Sequence, residues 1–198
     1  INNVDVAELN VDNLRKHIVY VPQHPILFNR TLWDNISYGL DPSVTREDFY
    51  ALLNKYGLTD LVEIYREKMD KDVGKLGSKL SGGQRQIVWL VRCMLRKSSV
   101  IILDEPTSAL DEQSSKHVEN LIKGLSETST LIIITHDRDL LRLMDRVIYF
   151  DKGQIIQDEK LNNKKNGSQQ QSKSLPDNIN IKYSNESFSP LGNGNTTY

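Results

Sequence analysis

The sequence predicts an α/β fold with a parallel-sheet core, and three observations carry that expectation. Short, continuous runs of β-branched and other apolar residues recur along the chain, amphipathic helical stretches separate them, and a long purely helical segment follows the first run. Strands that are apolar throughout suit a sheet covered on both faces, with the intervening helices as crossovers.

Residues 17–21 form the first such run and end at Pro22 and Gln23, where Pro22 and Pro25 hold the following loop extended. Thr45 then caps a helix with acids in its first turn, Phe49, Leu52, Leu53 and Tyr56 as its apolar stripe, and Gly57 as its stop. From about residue 40 to residue 97 the pattern is helical with no convincing strand, so a helical subdomain is inserted into the α/β framework. Residues 99–103 and 130–135 are the next strands, separated by a helix over residues 112–127. Val118, Leu121, Ile122 and Leu125 fall on one face of that helix and are expected against the sheet. Residues 146–150 form the last strand. After Asp158 the composition turns to Asn, Gln, Ser, Lys and Gly without periodicity, which predicts a disordered tail over residues 159–198. The acceptor-type triplets at Asn166, Asn185 and Asn195 arise there from composition alone.

Composition narrows the function class. A chain of 198 residues, 38% hydrophobic and 26% charged, has room for one domain and a tail. The formal net charge of -1, without a basic block, gives no reason to expect a nucleic-acid partner. Cys93 is the single cysteine and sits in an apolar stretch, so it reads as a buried small side chain in a reducing compartment. No apolar run approaches the roughly 20 residues that span a bilayer, and the opening Ile1-Asn2-Asn3-Val4-Asp5 is no signal peptide. A start without Met, in what reads as mid-domain, predicts further sequence upstream.

Chemistry concentrates at a few points. In Leu80-Ser81-Gly82-Gly83-Gln84, Ser81 is placed as the N-cap of a helix carrying Ile87, Val88, Leu90, Val91, Met94 and Leu95. A helix N-terminus offers unused N–H groups and partial positive charge, and glycines let a phosphate approach the backbone. A plain capped helix after a Gly turn is the alternative for Ser-Gly-Gly alone. The strand 99–103 delivers Asp104 and Glu105 to the carboxyl edge of the sheet, where ligands of open α/β sheets bind. Asp104 suits a Mg²⁺ shell and Glu105 can orient or deprotonate a water. Alternatively the two acids cap the next helix, with Pro106 in its first turn. His136 and Gln23 end two other strands, where an imidazole can bond a phosphate or water and an amide oxygen can reach Mg²⁺. Either alone has a bland reading as a loop residue. No G-x-x-x-x-G-K-[ST] phosphate loop occurs: Gly77 and Gly82 have its spacing, but Gly83 stands where lysine is needed.

The order Gln23, Leu80 to Gln84, Asp104-Glu105, Ser108-Ala109-Leu110-Asp111 and His136 resembles the ATP-binding cassette family over residues 1–158. The resemblance implies a phosphate-loop-type ATPase fold, present in part. It makes Gln23 the Q-loop, Leu80 to Gln84 the signature, Asp104 the end of the Walker B strand, Glu105 the catalytic acid, Ser108 to Asp111 the D-loop and His136 the switch histidine. It further implies ATP and Mg²⁺ as cofactors and a head-to-tail pair with a second cassette. In that pair Ser81, Gly82 and Gly83 serve the partner's nucleotide, while Gln23, Asp104, Glu105 and His136 serve their own. The segments Val19 to Phe28 and Thr31 to Ile36 are similar to exporters whose cassette follows a transmembrane domain in one polypeptide, which places this domain at the cytoplasmic face of a membrane.

Two departures within the chain stand out. Val73-Gly74-Lys75-Leu76-Gly77 puts a base where exporters commonly carry an acid, and Ile87 and Trp89 stand where the family usually has Arg and Ala. The third is the missing phosphate loop, with the aromatic residue that stacks on adenine. The expectation is therefore the C-terminal part of an exporter's nucleotide-binding domain, hydrolysing ATP in the complete protein and inactive as this chain alone. The alternatives are a soluble cassette ATPase acting on a macromolecular machine, and a non-hydrolysing module lending its signature to another cassette. Against the last, loss of the phosphate-loop strand and helix should leave apolar sheet surface uncovered.

Overall fold

A computed structural model describes residues 10–161, together with Asp5 and Ala7. In chain order the elements are α1 (Val11–His17), β1 (Ile18–Val21), α2 (Leu32–Ser37), α3 (Arg46–Lys55), α4 (Thr59–Lys68), α5 (Gly82–Arg96), β2 (Val100–Asp104), α6 (Glu112–Ser126), β3 (Thr130–Ile134), α7 (Arg138–Leu141), β4 (Arg146–Asp151) and β5 (Gln154–Lys160), with a 3₁₀ turn at Lys75–Gly77. Between β1 and β2 lie helices and turns, as the pattern over residues 40–97 predicts, apart from an isolated bridge between Thr31 and Asp72.

Helices α2, α3, α5, α6 and α7 begin where short polar side chains satisfy backbone N–H groups that a first turn cannot, whereas α4 starts after Leu58 without a side-chain cap. Thr31 and Asp34 close a capping box on α2, Thr45 and Asp48 one on α3, and Ser81 and Gln84 one on α5. Helix α3 stops as expected at Gly57, whose φ of +78° is open to glycine. The Gly57 N–H donates to the Asn54 carbonyl and the Leu58 N–H to the Leu53 carbonyl, with both leucines wholly buried beside each other's turn. Helix α2 has too few residues for periodicity to reveal, yet its box sequence, Thr31-x-x-Asp34, is a readable start signal.

β1, β2 and β3 form a parallel sheet in that order. Val21 pairs with Leu103, and Asp104 pairs with Ile134, so the three strands finish at one edge. One face rests on α5 and α6: Val21, Ile101 and Leu103 are fully buried, and Leu131 and Ile133 pack against the same core. The other face carries Tyr20, Ile132 and Ile134 at 51%, 50% and 53% exposure. The expected cover on both faces is thus met on one face only among the described residues, because their helices pack on that face alone. Exposed apolar sheet surface is what the absence of a phosphate-loop strand and helix leads one to expect.

Helix α5 is the centre of the fold. Ile87, Val88, Leu90, Val91 and Cys93 are buried, and α5 packs against α2, α3, α6 and β1. Each large apolar side chain so buried is worth about 1.5–3 kcal/mol. Phe49, Leu53 and Tyr65 complete this core from α3 and α4, with Tyr65 edge-on to Phe49 at 5.4 Å between ring centroids. Burial pushes the Cys93 thiol up to about 12, which keeps it protonated and unreactive, as its apolar setting predicts. A polar stripe on α6 ties the helical segment to the sheet layer. Gln113 Nε2 and His117 Nε2 reach Asp60 at 2.9 and 3.3 Å, and Asn120 Nδ2 donates to the Tyr56 carbonyl at 3.2 Å.

The last expected strand does not join the parallel sheet. β4 pairs antiparallel with β5, across a turn in which Lys152 and Gly153 both have positive φ, 47° and 78°. A two-residue turn of this hand matches the twist of a hairpin. Strand β5 continues to Lys160, past the composition change after Asp158, held by Asp158 pairing with Arg146. The tail from residue 162 onward, with its three acceptor-type triplets, lies outside the described residues. Among the described residues no helix is long and apolar enough to cross a membrane.

The caps set an acid limit to stability. Hydrogen bonds from Thr45 hold the Asp48 carboxyl below the usual carboxylate range, and hydrogen bonds from Ser114 do the same for Asp111, the N-cap of α6. Their folded-state values lie below the unfolded ones, so this stabilisation is complete above the unfolded carboxylate value, about 3.9, and disappears as pH falls through the folded values. The melting temperature is therefore expected to be flat between about pH 7 and pH 5 and to fall below about pH 4. In an Asp48→Asn/Asp111→Asn double variant, which keeps cap acceptors but not the titration, calorimetry should record a shallower fall.

Candidate functional site

The strand ends gather most of the residues singled out by sequence. Glu105 follows β2, and its N–H donates to the Ile134 carbonyl at 2.8 Å, extending the β2–β3 ladder by one bond. Its φ of +44° lies in the left-handed region, which costs a non-glycine residue about 1–2 kcal/mol. Strain of this kind is held by its surroundings. Here those are the ladder bond, Pro106, and the side chain of His136, whose Nδ1 lies 2.9 Å from Glu105 Oε1. An ionised carboxylate only accepts, so this contact requires the imidazole proton on Nδ1. Glu105 is 21% exposed and His136 60%, so the pair opens to solvent from a sheltered carboxylate.

Gln23 arrives from the loop after β1. Its Nε2 donates to Ser108 Oγ at 3.1 Å, and Ser108 Oγ donates to the Glu105 carbonyl at 3.0 Å. The amide nitrogen is thus engaged and Gln23 Oε1 is left as its acceptor. Asp104 receives a 2.8 Å hydrogen bond at Oδ2 from the Tyr20 hydroxyl. The loops that carry Glu105 and His136 are fastened to each other by Thr107 Oγ1, which donates to Asp137 Oδ2 at 2.7 Å, while Asp137 Oδ1 caps α7 through the Asp139 N–H. Gln23, Asp104, Glu105 and His136 therefore converge as expected. Tyr20, Thr107 and Asp137 were not legible as site residues. Thr107 directly after Glu-Pro, and Asp137 in a cap position directly after His136, were the available signals.

The signature residues occupy the start of α5. Ser81 Oγ accepts from the Gln84 N–H at 3.1 Å, and Gln84 Oε1 accepts from the Ser81 N–H at 3.2 Å and from Lys68 Nζ at 3.3 Å. The Gln84 side chain is turned back into the capping box. Gly82 and Gly83 supply the first-turn N–H groups that the helix itself does not use. The two glycines differ in surroundings. A Cβ on Gly82 would meet Leu110 at 3.7 Å, an ordinary contact, whereas a Cβ on Gly83 would lie 2.6 and 2.7 Å from Ser114 Oγ and Cβ. Gly83 is therefore required for α5 to approach α6, and Gly82 is the one with open space over its backbone. Asp111 serves α6, with both carboxylate oxygens bonded to Ser114. Gly77 lies in the 3₁₀ turn and Gly82 opens α5, so their phosphate-loop spacing does not build one loop.

Two of the departures, Ile87 and Trp89, are explained by packing. Ile87 is in the core at 1% exposure. Trp89 Nε1 donates to the Ile26 carbonyl at 3.1 Å and its ring lies 5.3 Å from the Arg92 guanidinium, which also stacks 5.1 Å from Tyr38. The bulk at both positions is thus absorbed by packing. Lys75 sits exposed in the 3₁₀ turn beside Leu76, whose φ is +55°.

As a metal site the cluster is lean. Among the described residues no group of three or more His, Cys, Asp or Glu can enclose an ion. Asp104 and Gln23 Oε1 are hard oxygens, and Mg²⁺ characteristically takes one or two carboxylates and completes its shell with water and substrate phosphates. The donor set fits that ion bound with a nucleotide.

Carboxylates, an amide and an imidazole meeting at one edge of a parallel sheet, with unused helix N–H groups on α5, define a nucleotide-binding α/β domain of the phosphate-loop class. The chain belongs to the ABC transporter family, whose model matches residues 1–108, more than half of the 198. Among curated relatives, the ATP-dependent lipid A-core flippase of Francisella tularensis subsp. tularensis (strain FSC 198) is 34% identical over 160 residues, which cover 81% of this chain and 26% of the flippase. P-glycoprotein 14 of Caenorhabditis elegans is 38% identical over 157 residues, 79% of this chain and 12% of that protein. The solved structure of a bacterial Atm1-family ABC exporter with ATP bound matches with a TM-score of 0.69 and 28% identity, over 81% of this chain and 28% of that one. The chain thus has the fold of an exporter-type nucleotide-binding domain and spans about a quarter of the length of the flippase it matches.

The glycine contrast is testable. Gly83→Ala is expected to destabilise the domain by about 1–3 kcal/mol through overpacking against Ser114, and Gly82→Ala to change stability by less than about 0.5 kcal/mol. Urea denaturation of the two variants measures the difference.

Proposed function

We propose that this chain is the part of a transporter's nucleotide-binding domain that couples ATP binding and hydrolysis, at an interface between two cassettes, to export of a substrate across a membrane. The observation that carries the reading is the 2.9 Å contact between Glu105 and His136 at the ends of adjacent parallel strands. Glu105 accepts the proton of the attacking water, and His136 holds the carboxylate in the orientation that this needs. A base already held in place gives up little orientational freedom as the reaction proceeds.

Asp104 and Gln23 are the residues that would hold Mg²⁺ together with the nucleotide. When bound, the ion offsets charge on the phosphates. Gln23 reports on this position to the D-loop through Ser108, which bonds the Glu105 carbonyl. Ser81, with the N–H groups of Gly82 and Gly83, receives the terminal phosphate of a nucleotide held by the second cassette, and Gln84 and Asp111 keep the helix starts in position for that approach. The phosphate cradle itself comes from residues other than these 198, which contain no loop of that pattern. The names flippase, of a curated relative, and ABC exporter, of a solved structure, support a transmembrane partner domain and a location at the cytoplasmic face of a membrane.

Glu105→Gln in the full-length protein is expected to lower ATP turnover by at least about 100-fold. ATP-dependent pairing of cassettes should persist, and thermal stability should be little changed, because the left-handed backbone and the side-chain volume are both kept. Wild-type turnover in this variant would overturn the role of Glu105.

A further inference from the structure

Adjacent carboxylates, Asp104 and Glu105, each have a separate partner. Glu105 takes His136, and Asp104 takes a phenol from the neighbouring strand. Tyr20 pairs in register with Ile102, so Asp104, two positions further along β2, lies diagonally ahead of it on the same face of the sheet. Diagonal neighbours on one face are within reach of an aromatic side chain, and the Tyr20 hydroxyl closes the gap at 2.8 Å from Asp104 Oδ2. Among the described residues the Tyr20 ring is half-exposed, and its hydroxyl is directed to Asp104.

We propose that Tyr20 is a positioning residue for nucleotide-bound Mg²⁺, fixing the Asp104 carboxylate by its Oδ2 and leaving Oδ1 as the acceptor that would serve the metal shell. This rests on the reading of Asp104 as a metal-shell residue. The chemistry of the donor is suited to the task. A lysine or arginine at position 20 would also orient the carboxylate, but its positive charge would neutralise Asp104 and compete with the cation. A phenol donates one O–H and leaves the carboxylate charge available to the metal. Fixing one oxygen also removes rotation of the carboxylate about its last torsion, a freedom that metal binding would otherwise have to take away.

The test uses the full-length protein in a Glu105→Gln background, where Mn²⁺ binding in the presence of ATP is read by electron paramagnetic resonance without turnover. Adding Tyr20→Phe is expected to weaken Mn²⁺ by about 3- to 10-fold, the equivalent of one intramolecular hydrogen bond, while ATP affinity measured in EDTA and the melting temperature stay unchanged. Unchanged Mn²⁺ affinity would overturn the inference. A double-mutant cycle covers the case in which Tyr20→Phe disturbs the sheet: in an Asp104→Asn background Tyr20→Phe should add no further loss, and additive losses would also overturn it. If Asp104→Asn itself leaves Mn²⁺ binding intact, the metal reading of Asp104 fails. If Asp104→Asn weakens Mn²⁺ and Tyr20→Phe does not, only the role of Tyr20 fails.

Discussion

Parallel pairing of β1, β2 and β3 is the constraint on which the rest depends. Parallel strands all point the same way, so loops far apart in sequence leave the sheet at one edge. Gln23, Glu105 and His136 meet there, although a helical subdomain separates the first from the second. The register sets the finer placement. Because Asp104 pairs with Ile134, Glu105 can add one more bond to the ladder before the chain turns, and that bond holds the left-handed backbone in which its carboxylate meets His136.

Around this edge the structure uses neutral hydrogen bonds more than charge. A phenol fixes Asp104, a serine hydroxyl joins Gln23 to the Glu105 carbonyl, and a threonine hydroxyl joins the loops after β2 and β3. Neutral donors orient carboxylates without offsetting the charge that a metal or a proton transfer needs. Helix α5 follows the same economy. Its capping box is closed by Ser81 and Gln84, which leaves the Gly82 and Gly83 N–H groups unused by the helix. The same helix is the hub of the core, so the signature is mounted on the most deeply buried element of the domain.

The helix starts at Thr45, Ser81 and residue 112, the stop at Gly57, the apolar faces of α5 and α6 and the three strand ends were legible in the sequence because each is set by neighbours within a few residues. The same held for the order of Gln23, Asp104, Glu105 and His136, which places groups at strand ends without any knowledge of pairing. β5 was missed, since its charged residues break the apolar pattern, although Lys152-Gly153 marked a turn. The strand 146–150 looked like its predecessors, but a short apolar run does not state whether its partner is parallel or antiparallel, and it paired with β5.

The sequence by itself determined the class of the domain: the motifs, their order and the local signals that start and stop each element are chemistry of neighbouring residues. Only the tertiary structure decided which face of the sheet is covered, that Gly83 is needed for packing while Gly82 is open, that Gln84 turns back to cap its own helix, and that Tyr20 belongs to Asp104. Each of these depends on distances between residues brought together by strand register and helix packing, and Tyr20 and Asp104, 84 residues apart in the chain, meet only once β1 and β2 are aligned.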